Sequence, residues 1–293
     1  MVNDNFCAFI LTHGRPDNVI TYKTLLKSGY TGKIYIIIDD EDETADRYYE
    51  VFGDKVIMFD KKAIAETFDE GDNFDDRRAI VYARNACFDI AKDLGIKHFI
   101  QLDDDYTVFF YMYDTQDEFK RKEIKKIDRI FGLFVEYLEK SNAETLAFLQ
   151  GGDIMGGGDC GCLVRNRYPF RKRKAMNSFF CSTDKPLNFI GRINEDVNTF
   201  LNSGSVGKLF MSIPKIILNQ KQTQSNDGGM TDIYVDSGTY IKSFYAIIFN
   251  PSCVVIHMMG RCNKRLHHQI SWANAVPVIL DEKYKINKPA MVE

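Results

Sequence analysis

The chain has 293 residues, and its 38 basic and 41 acidic side chains give it a net charge of −3. With 45% hydrophobic and 27% charged residues, the composition is that of a globular protein and excludes a disordered chain. No apolar run reaches the roughly 18 residues of a membrane span, the start lacks a signal-peptide pattern, and the seven cysteines are scattered, so we expect a cytoplasmic protein with reduced thiols.

The first 150 residues alternate strand-like runs with helical patterns. Strands are predicted over residues 6–11, 33–38, 55–59, 98–102 and 145–149. Helices are predicted where apolar side chains recur at helical spacing, over residues 19–26, 76–94 and 124–140. Nearly continuous apolar strands that alternate with amphipathic helices predict an α/β fold, in which a mostly parallel sheet is flanked by helices on both faces.

The second half of the chain has a different character. Six glycines occur between residues 151 and 161, and six basic residues lie between 165 and 174. Helices are predicted over 195–201 and 233–249, and strands over 209–213 and 252–257. Because no internal repeat or low-complexity tract occurs, we expect one domain with a variable second half.

Polar and acidic residues follow the predicted strands. Thr12 and Arg15 come after the first strand, Asp39 and Asp40 close the second, Asp60 follows the third, and an Asp triplet at 103–105 follows the fourth. Ligands of open parallel sheets bind at the carboxyl ends of the strands. Carboxylates gathered there repel one another unless a cation neutralises them, and oxygen ligands suit Mg²⁺ or Mn²⁺. This edge is therefore a candidate site for a divalent metal and a phosphate.

The Asp triplet and the preceding helix carry most of this hypothesis. In an extended segment Asp103 and Asp105 point to the same side and can share one site, although an acidic loop exposed to solvent is the alternative. Arg77 and Arg84 are seven residues apart, so we place them on one helical face, away from the apolar stripe. That face would meet a nucleotide phosphate or the acidic edge, or else form salt bridges at the surface.

Taken in order, these motifs resemble the nucleotide-sugar glycosyltransferases of the GT-A fold. The motifs are residues 12–16 (THGRP), 39–40 (DD), 83–85 (ARN), 101–105 (QLDDD) and 194–196 (NED). The resemblance spans residues 6 to 257. It implies a Rossmann-type sheet with a smaller acceptor-side subregion, arranged as a single domain over 1–293 with a nucleotide-sugar-binding half (1–150) and an acceptor-binding half (151–293).

More narrowly, residues 191–199 (GRINEDVNT) and 238–245 (GTYIKSFY) resemble the TET-associated glycosyltransferases of bacteriophages. That family is thought to add sugars to hydroxymethylated pyrimidines in phage DNA. The resemblance therefore implies transfer from a UDP-sugar to 5-hydroxymethylcytosine in DNA, in the host cytoplasm. The alternatives are a GT-A transferase that acts on a glycan or a protein, a sugar nucleotidyltransferase, and a non-catalytic nucleic-acid-binding module.

The resemblance also implies roles for individual residues. The donor-binding residues would be Thr12, Arg15, Asp39, Asp40, Arg77, Arg84, Asp103 and Asp104. The metal, Mn²⁺ or Mg²⁺, would be held by Asp103, Asp105 and His257. The alternative for His257 is a buried structural histidine, and the pair His267 and His268 competes for the ligand role.

The acceptor side would be served by Asp196 and by a basic segment. Asp196, or Glu195 in its place, would be the base if the reaction inverts the anomeric centre, and Asp196 would only orient the acceptor if it retains the configuration. Six cations interleaved with two aromatic residues suit a nucleic-acid backbone, although a loop exposed to solvent is the alternative. These cations are Arg165, Arg167, Arg171, Lys172, Arg173 and Lys174. The sequence leaves open the sugar, the stereochemical outcome and the oligomeric state.

Overall fold

The computed structural model describes residues 5–115, 118–150, 174–220, 230–238, 240–260, 264–275 and 281–284. The strands are β1 (Phe6–Leu11), β2 (Lys33–Asp39), β3 (Val56–Phe59), β4 (His98–Asp103), β5 (Tyr106–Thr115), β6 (Glu118–Glu123), β7 (Thr145–Gln150), β8 (Ser178–Ser182), β9 (Phe210–Gln220), β10 (Val254–Met259) and β11 (Arg265–Ile270). The helices are α1 (Ile20–Lys27), α2 (Ala45–Phe52), α3 (Lys61–Ala65), α4 (Val81–Asp93), α5 (Ile127–Ser141), α6 (Glu195–Ser205), α7 (Met230–Ser237), α8 (Ile241–Phe249) and α9 (Trp272–Ala275).

Nine of these strands form one sheet in the order β3-β2-β1-β4-β8-β7-β9-β5-β6. The first four are parallel to one another, and β7 and β9 run parallel as a pair. β8 is inserted antiparallel between β4 and β7, and β5 runs antiparallel to both β9 and β6. β10 and β11 form a separate antiparallel hairpin. The prediction of an α/β fold with a mostly parallel sheet is confirmed.

The core has two layers, one on each face of the sheet. In β1 the side chains of Phe6, Ala8 and Ile10 belong to one layer and those of Cys7 and Phe9 to the other. The first layer packs against α1 and α5, and the second packs against α4 and α6. Burial on both faces explains why the strands read as continuous apolar runs rather than as alternating ones.

Several predicted elements need correction. The helix predicted over 76–94 begins only at Val81, so Arg77 lies in the loop before it. The helix predicted over 233–249 is two helices, because Gly238 between them adopts a left-handed φ of 83°. The strand predicted over 209–213 continues to Gln220. Strands β5, β6, β8 and β11 were not predicted. Among the described residues, none of the helices is long and apolar enough to cross a membrane.

Candidate active site

The polar residues that follow β1, β2 and β4 meet at one edge of the sheet. β1 lies between β2 and β4, and all three strands are parallel. Leu11 at the end of β1 is in register with Ile37 of β2 and with Asp103 of β4. Thr12, Asp39 and Asp103 therefore leave the sheet side by side, as the sequence predicts for a ligand site at the carboxyl ends of strands.

Asp104 is held by the loop that follows β1. The Thr12 hydroxyl donates to Asp104 Oδ2 at 2.7 Å, and Arg15 Nη1 lies 3.3 Å from Asp104 Oδ1. Tyr48 adds to this network: its hydroxyl lies 2.8 Å from Thr12 Oγ1 and accepts from the Arg15 backbone N–H at 2.9 Å. Asp104 is thus bound by Thr12 and Arg15, and the pairing of Asp103 with Asp105 at a metal stays a prediction.

Thr12→Val is expected to lower the free energy of unfolding by about 1–3 kcal/mol, because it leaves two buried groups, the Tyr48 hydroxyl and the Asp104 carboxylate, each without one hydrogen-bond partner. Urea denaturation measures the change. Thr183→Val is the matched control, since the exposed Thr183 hydroxyl makes only a 3.3 Å bond to the Lys97 carbonyl. Equal stability of the two variants would contradict this account of Thr12.

Asp39 is held by two basic side chains rather than left free. Its Oδ2 lies 2.9 Å from His13 Nδ1, and its Oδ1 accepts from the buried Lys61 ammonium at 3.0 Å. Burial raises the pKa of Asp39, but the hydrogen bond from His13 and the charge of Lys61 outweigh it, so the pKa lies below its ordinary value. The sequence analysis did not predict a role for Lys61. The pattern that could have indicated one is its position directly after Asp60, at the end of β3.

Asp40 and Arg77 lie at the outer rim of the same edge. Asp40 is exposed, and its Oδ1 accepts from the Lys61 backbone N–H at 2.9 Å. Arg77 pairs with Glu41 at 2.7 Å and with Asp75. The prediction that Arg77 and Arg84 share a helical face is wrong, because Arg77 precedes the first residue of α4.

Arg84 is the centre of the site. Its side chain is only 1% exposed, Nε donates to Glu195 Oε1 at 2.8 Å, and Nη2 donates to Asp103 Oδ1 at 2.9 Å. The guanidinium lies 4.9 Å from the centre of the Phe179 ring. The prediction of a basic face turned away from the apolar stripe is wrong for Arg84: its acidic partners and Phe179 draw it into the core. Its contact with the acidic edge is as the sequence suggested.

The carboxylates of Asp103 and Asp105 are crowded. Burial and the neighbouring charges of Asp103 and Asp104 together raise the pKa of Asp105 to about 7. Burial also raises the pKa of Asp103, against the opposing charge of Arg84. A divalent cation would relieve this repulsion, and carboxylate oxygens are the donors that Mg²⁺ and Mn²⁺ prefer. The donor set therefore fits such a metal, although no group of three His, Cys, Asp or Glu side chains around a metal position occurs among the described residues.

Glu195 and Asp196 are the first two residues of α6, and Arg84 links Glu195 to Asp103 at the end of β4. Both are buried, but only Glu195 pairs with Arg84. Asp196 Oδ1 accepts from the Val197 backbone N–H at 2.7 Å. Burial and the Glu195 carboxylate raise the pKa of Asp196 to about 7, although Arg84 opposes them. Of the two acids, Asp196 is the one whose carboxylate is not paired with Arg84, and the assignment of either as the base stays a prediction.

The family model of the TET-associated glycosyltransferases matches residues 6–229, which is most of the chain and includes every residue of the acidic edge. The chain belongs to this family. It is a glycosyltransferase. Among solved structures it is similar to glucosyl-3-phosphoglycerate synthase from Mycobacterium tuberculosis, in complex with Mn²⁺, uridine-diphosphate and phosphoglyceric acid, with 10% identity and a TM-score of 0.39 over 94% of this chain and 88% of that one. No curated protein matches the sequence.

His257 lies elsewhere in this glycosyltransferase. It sits within β10 rather than at its end, it is exposed, and it is in register with His267 of β11. No carboxylate is among the groups that set the pKa of His267, which are Lys242, Arg265 and His257. The described structure does not bring His257 to Asp103 and Asp105, and its role as a metal ligand stays a prediction.

The basic segment predicted to bind nucleic acid lies mostly outside the described residues. Of its six cations only Lys174 is described, and its carbonyl accepts from the Ser212 hydroxyl at 2.7 Å. The other five are Arg165, Arg167, Arg171, Lys172 and Arg173. Their role stays a prediction.

Arg192 holds the segment that leads into α6. Its buried guanidinium donates from Nε to Asp72 Oδ2 at 2.9 Å and from Nη2 to the Tyr245 hydroxyl at 2.8 Å. Nearby, the Gly191 backbone N–H donates to the Asp69 carbonyl at 2.7 Å. These bonds join the loop before α4, the start of α6 and helix α8, and so fix where Asp196 stands. The sequence analysis did not predict these bonds, although the acidic residues clustered at 69–76 are a pattern that could have indicated them.

Proposed function

We propose that this glycosyltransferase moves a sugar from a UDP-sugar, with Mn²⁺ or Mg²⁺, onto the hydroxymethyl oxygen of 5-hydroxymethylcytosine in phage DNA. The observation that carries the chemistry is the position of Arg84, which binds Asp103 of the strand edge at 2.9 Å and Glu195 of the acceptor motif at 2.8 Å. One guanidinium thus links the proposed donor side to the proposed acceptor side, and a transfer reaction requires the two substrates to be held close together.

The donor would lie along the edge formed by β1, β2 and β4. Thr12, Arg15 and Asp39 would contact the uracil and ribose of the UDP-sugar, and Asp40 and Arg77 would form the outer rim of the donor site. Asp103 and Asp105 would hold the metal, which supplies positive charge for the diphosphate as it becomes the leaving group. His257 remains the third ligand that the resemblance implies.

The acceptor hydroxyl would lose its proton to Asp196. The hydroxyl oxygen forms a bond to the anomeric carbon, the bond from that carbon to the diphosphate oxygen breaks, and UDP leaves with the electron pair. Glu195 is not free for this role because its carboxylate is bound to Arg84. Arg84 acts as a positioning residue that orients both Asp103 and Glu195.

The acceptor assignment rests on the family and on the basic segment at 165–174. A dense run of cations suits the phosphate backbone of DNA and predicts binding that weakens as salt rises. A base inside a duplex would have to rotate out of the stack before its hydroxymethyl group reached Asp196.

We expect kcat to rise with pH up to about 7 and then to level off, because Asp196 accepts a proton only when ionised and its pKa is about 7. Steady-state rates at saturating substrates, from about pH 5 to about pH 9, measure the profile. A profile that stays flat across this range would contradict the assignment of Asp196 as the base.

The direct test offers a panel of UDP-sugars with Mn²⁺ to DNA that contains 5-hydroxymethylcytosine and, in parallel, to unmodified DNA. The mass of the released bases is the readout. A gain of one hexose or pentose on the hydroxymethylated DNA alone is the expected result. Hydrolysis of the donor without any transfer to DNA would retain the donor assignment and overturn the acceptor assignment, leaving a glycan or protein as acceptor.

A further inference from the structure

Helix α8 and the β10–β11 hairpin bring together basic side chains that have no role at the proposed donor site. α8 packs against both strands of the hairpin. Lys242 comes from α8, and Arg265, His267 and His268 come from β11. Arg265 and His267 are two residues apart in the strand and so lie on the same face of it, and the rings of His267 and His268 stack with centroids 4.5 Å apart. We call these four residues the cationic cluster.

The positive charge of the cationic cluster lies on Lys242 and Arg265. In the described part of the chain no salt bridge involves Lys242 or Arg265, and the Nδ1 atoms of His267 and His268 are buried without a hydrogen-bond partner. Burial and Arg265 lower the pKa of Lys242. Two cations without salt bridges among the described residues, beside two buried imidazole nitrogens without partners, favour the binding of an anion.

The cationic cluster stands next to the proposed base. The Lys242 ammonium lies 5.9 Å from the centre of the Tyr234 ring, and burial together with the nearby charges of Glu195 and Asp196 raises the pKa of Tyr234. Asp196 is also the acid whose charge acts on Lys242. Because α8 packs against α6, an anion held by the cluster would lie beside Asp196, and hence beside the acceptor hydroxyl.

We propose that the cationic cluster binds a phosphate group of a substrate beside Asp196, a binding site that adds to the donor edge. The inference rests on the proposed function for the identity of the substrate. Phosphate oxygens accept charge-assisted hydrogen bonds from an ammonium and, in bidentate form, from a guanidinium, which Lys242 and Arg265 supply. The phosphate has two possible sources, a phosphodiester of the DNA acceptor and the diphosphate of the donor. The position beside Asp196 favours the phosphodiester.

The first test uses inorganic phosphate as the probe and the imidazole NMR signals of the full-length protein as the readout. We expect phosphate to shift the signals of His267 and His268, and we expect the double variant Lys242→Met, Arg265→Gln to lose the shift. Lys23→Gln is the matched control, because Lys23 is an exposed lysine of α1, on the opposite layer of the sheet. Thermal melting checks that each variant is folded. Signals that phosphate leaves unmoved would overturn the proposal.

The second test identifies the source of the phosphate. Fluorescence anisotropy gives the Kd for hydroxymethylated duplex DNA at several salt concentrations, and calorimetry gives the Kd for UDP with Mn²⁺. For a phosphodiester, each of Lys242→Met and Arg265→Gln is expected to weaken DNA binding and to reduce the slope of log K against log salt by about one, with UDP binding unchanged.

Weaker UDP binding with DNA binding unchanged would assign the same site to the donor diphosphate. Unchanged affinity for both ligands would overturn the site. The phosphate titration does not depend on sugar transfer, so a failure of the proposed function, seen as no product in the mass assay, remains distinguishable from a failure of this inference.

Discussion

Replacing Asp196 with asparagine is expected to lower kcat by about 10²–10⁴-fold, the contribution that a positioned general base makes. The amide keeps the size of the side chain and can still accept from the Val197 backbone N–H, which is 2.7 Å from Asp196 Oδ1. It cannot take a proton from the acceptor hydroxyl. Because the folded protein raises the pKa of this acid to about 7, the neutral amide does not cost stability.

The measurement is single-turnover transfer of radiolabelled sugar, together with the Kd for UDP. The Kd is expected to stay unchanged, because Asp196 is not among the residues proposed to bind the donor or the metal. Asp184→Asn is the control, since this exposed acid pairs only with Lys97 in the described structure. A kcat within twofold of that of the unmodified enzyme would remove Asp196 from the role of base and would favour an acceptor-orienting role.

Arg84→Met is expected to lower the free energy of unfolding by about 3–5 kcal/mol, the cost of removing one partner of a buried ion pair. The guanidinium is 1% exposed and neutralises two carboxylates, Asp103 and Glu195, which would then face each other uncompensated. Methionine has a similar volume, so the change reports on charge rather than on a cavity. Catalysis should fall as well, since both acids lose the group that orients them.

Urea denaturation followed by circular dichroism measures the effect. Arg47→Met is the matched control: Arg47 also binds two acids, Asp17 and Glu50, but all three side chains are more than half exposed, so we expect no measurable change. If the two variants lost equal stability, the buried ion pairs of Arg84 would stabilise the protein no more than exposed ones, which would contradict this account of Arg84. The double variant Arg84→Met, Glu195→Gln is expected to recover part of the stability, because it removes one of the two uncompensated charges.

The sequence predicted the half of the fold that carries the donor edge. β1, β2 and β4 are apolar runs with buried residues on both faces, and each ends in polar or acidic residues. Their parallel order brings Thr12, Asp39 and Asp103 together, which the rule for strand ends predicts without any structure. Asp104 is bound by Thr12 and Arg15, but residues 104 and 105 form a turn rather than an extended segment, so the sharing of one site by Asp103 and Asp105 stays a prediction.

The sequence did not predict features that depend on distant partners. β6 (Glu118–Glu123) is a charged strand at the edge of the sheet, and charged edges do not show the apolar signal of a strand. The burial of Arg84 needs Glu195, 111 residues away, and no local pattern indicates that a helix will turn an arginine toward the core. The ion pairs of Lys61 with Asp39 and of Arg192 with Asp72 also join residues that are far apart in the chain, so no local pattern indicates them.

The most direct test of the proposed site is calorimetric titration of UDP into the full-length protein, with Mn²⁺ and then with the metal removed by EDTA. We predict binding with Mn²⁺, loss of binding in EDTA, and loss of binding for Asp105→Asn in either condition. Because burial and neighbouring charge raise the pKa of Asp105 to about 7, the neutral amide should not unfold the protein, and thermal melting checks this. UDP binding that is equally tight with and without metal, and unaffected in Asp105→Asn, would contradict the assignment of the acidic edge as a metal-dependent donor site.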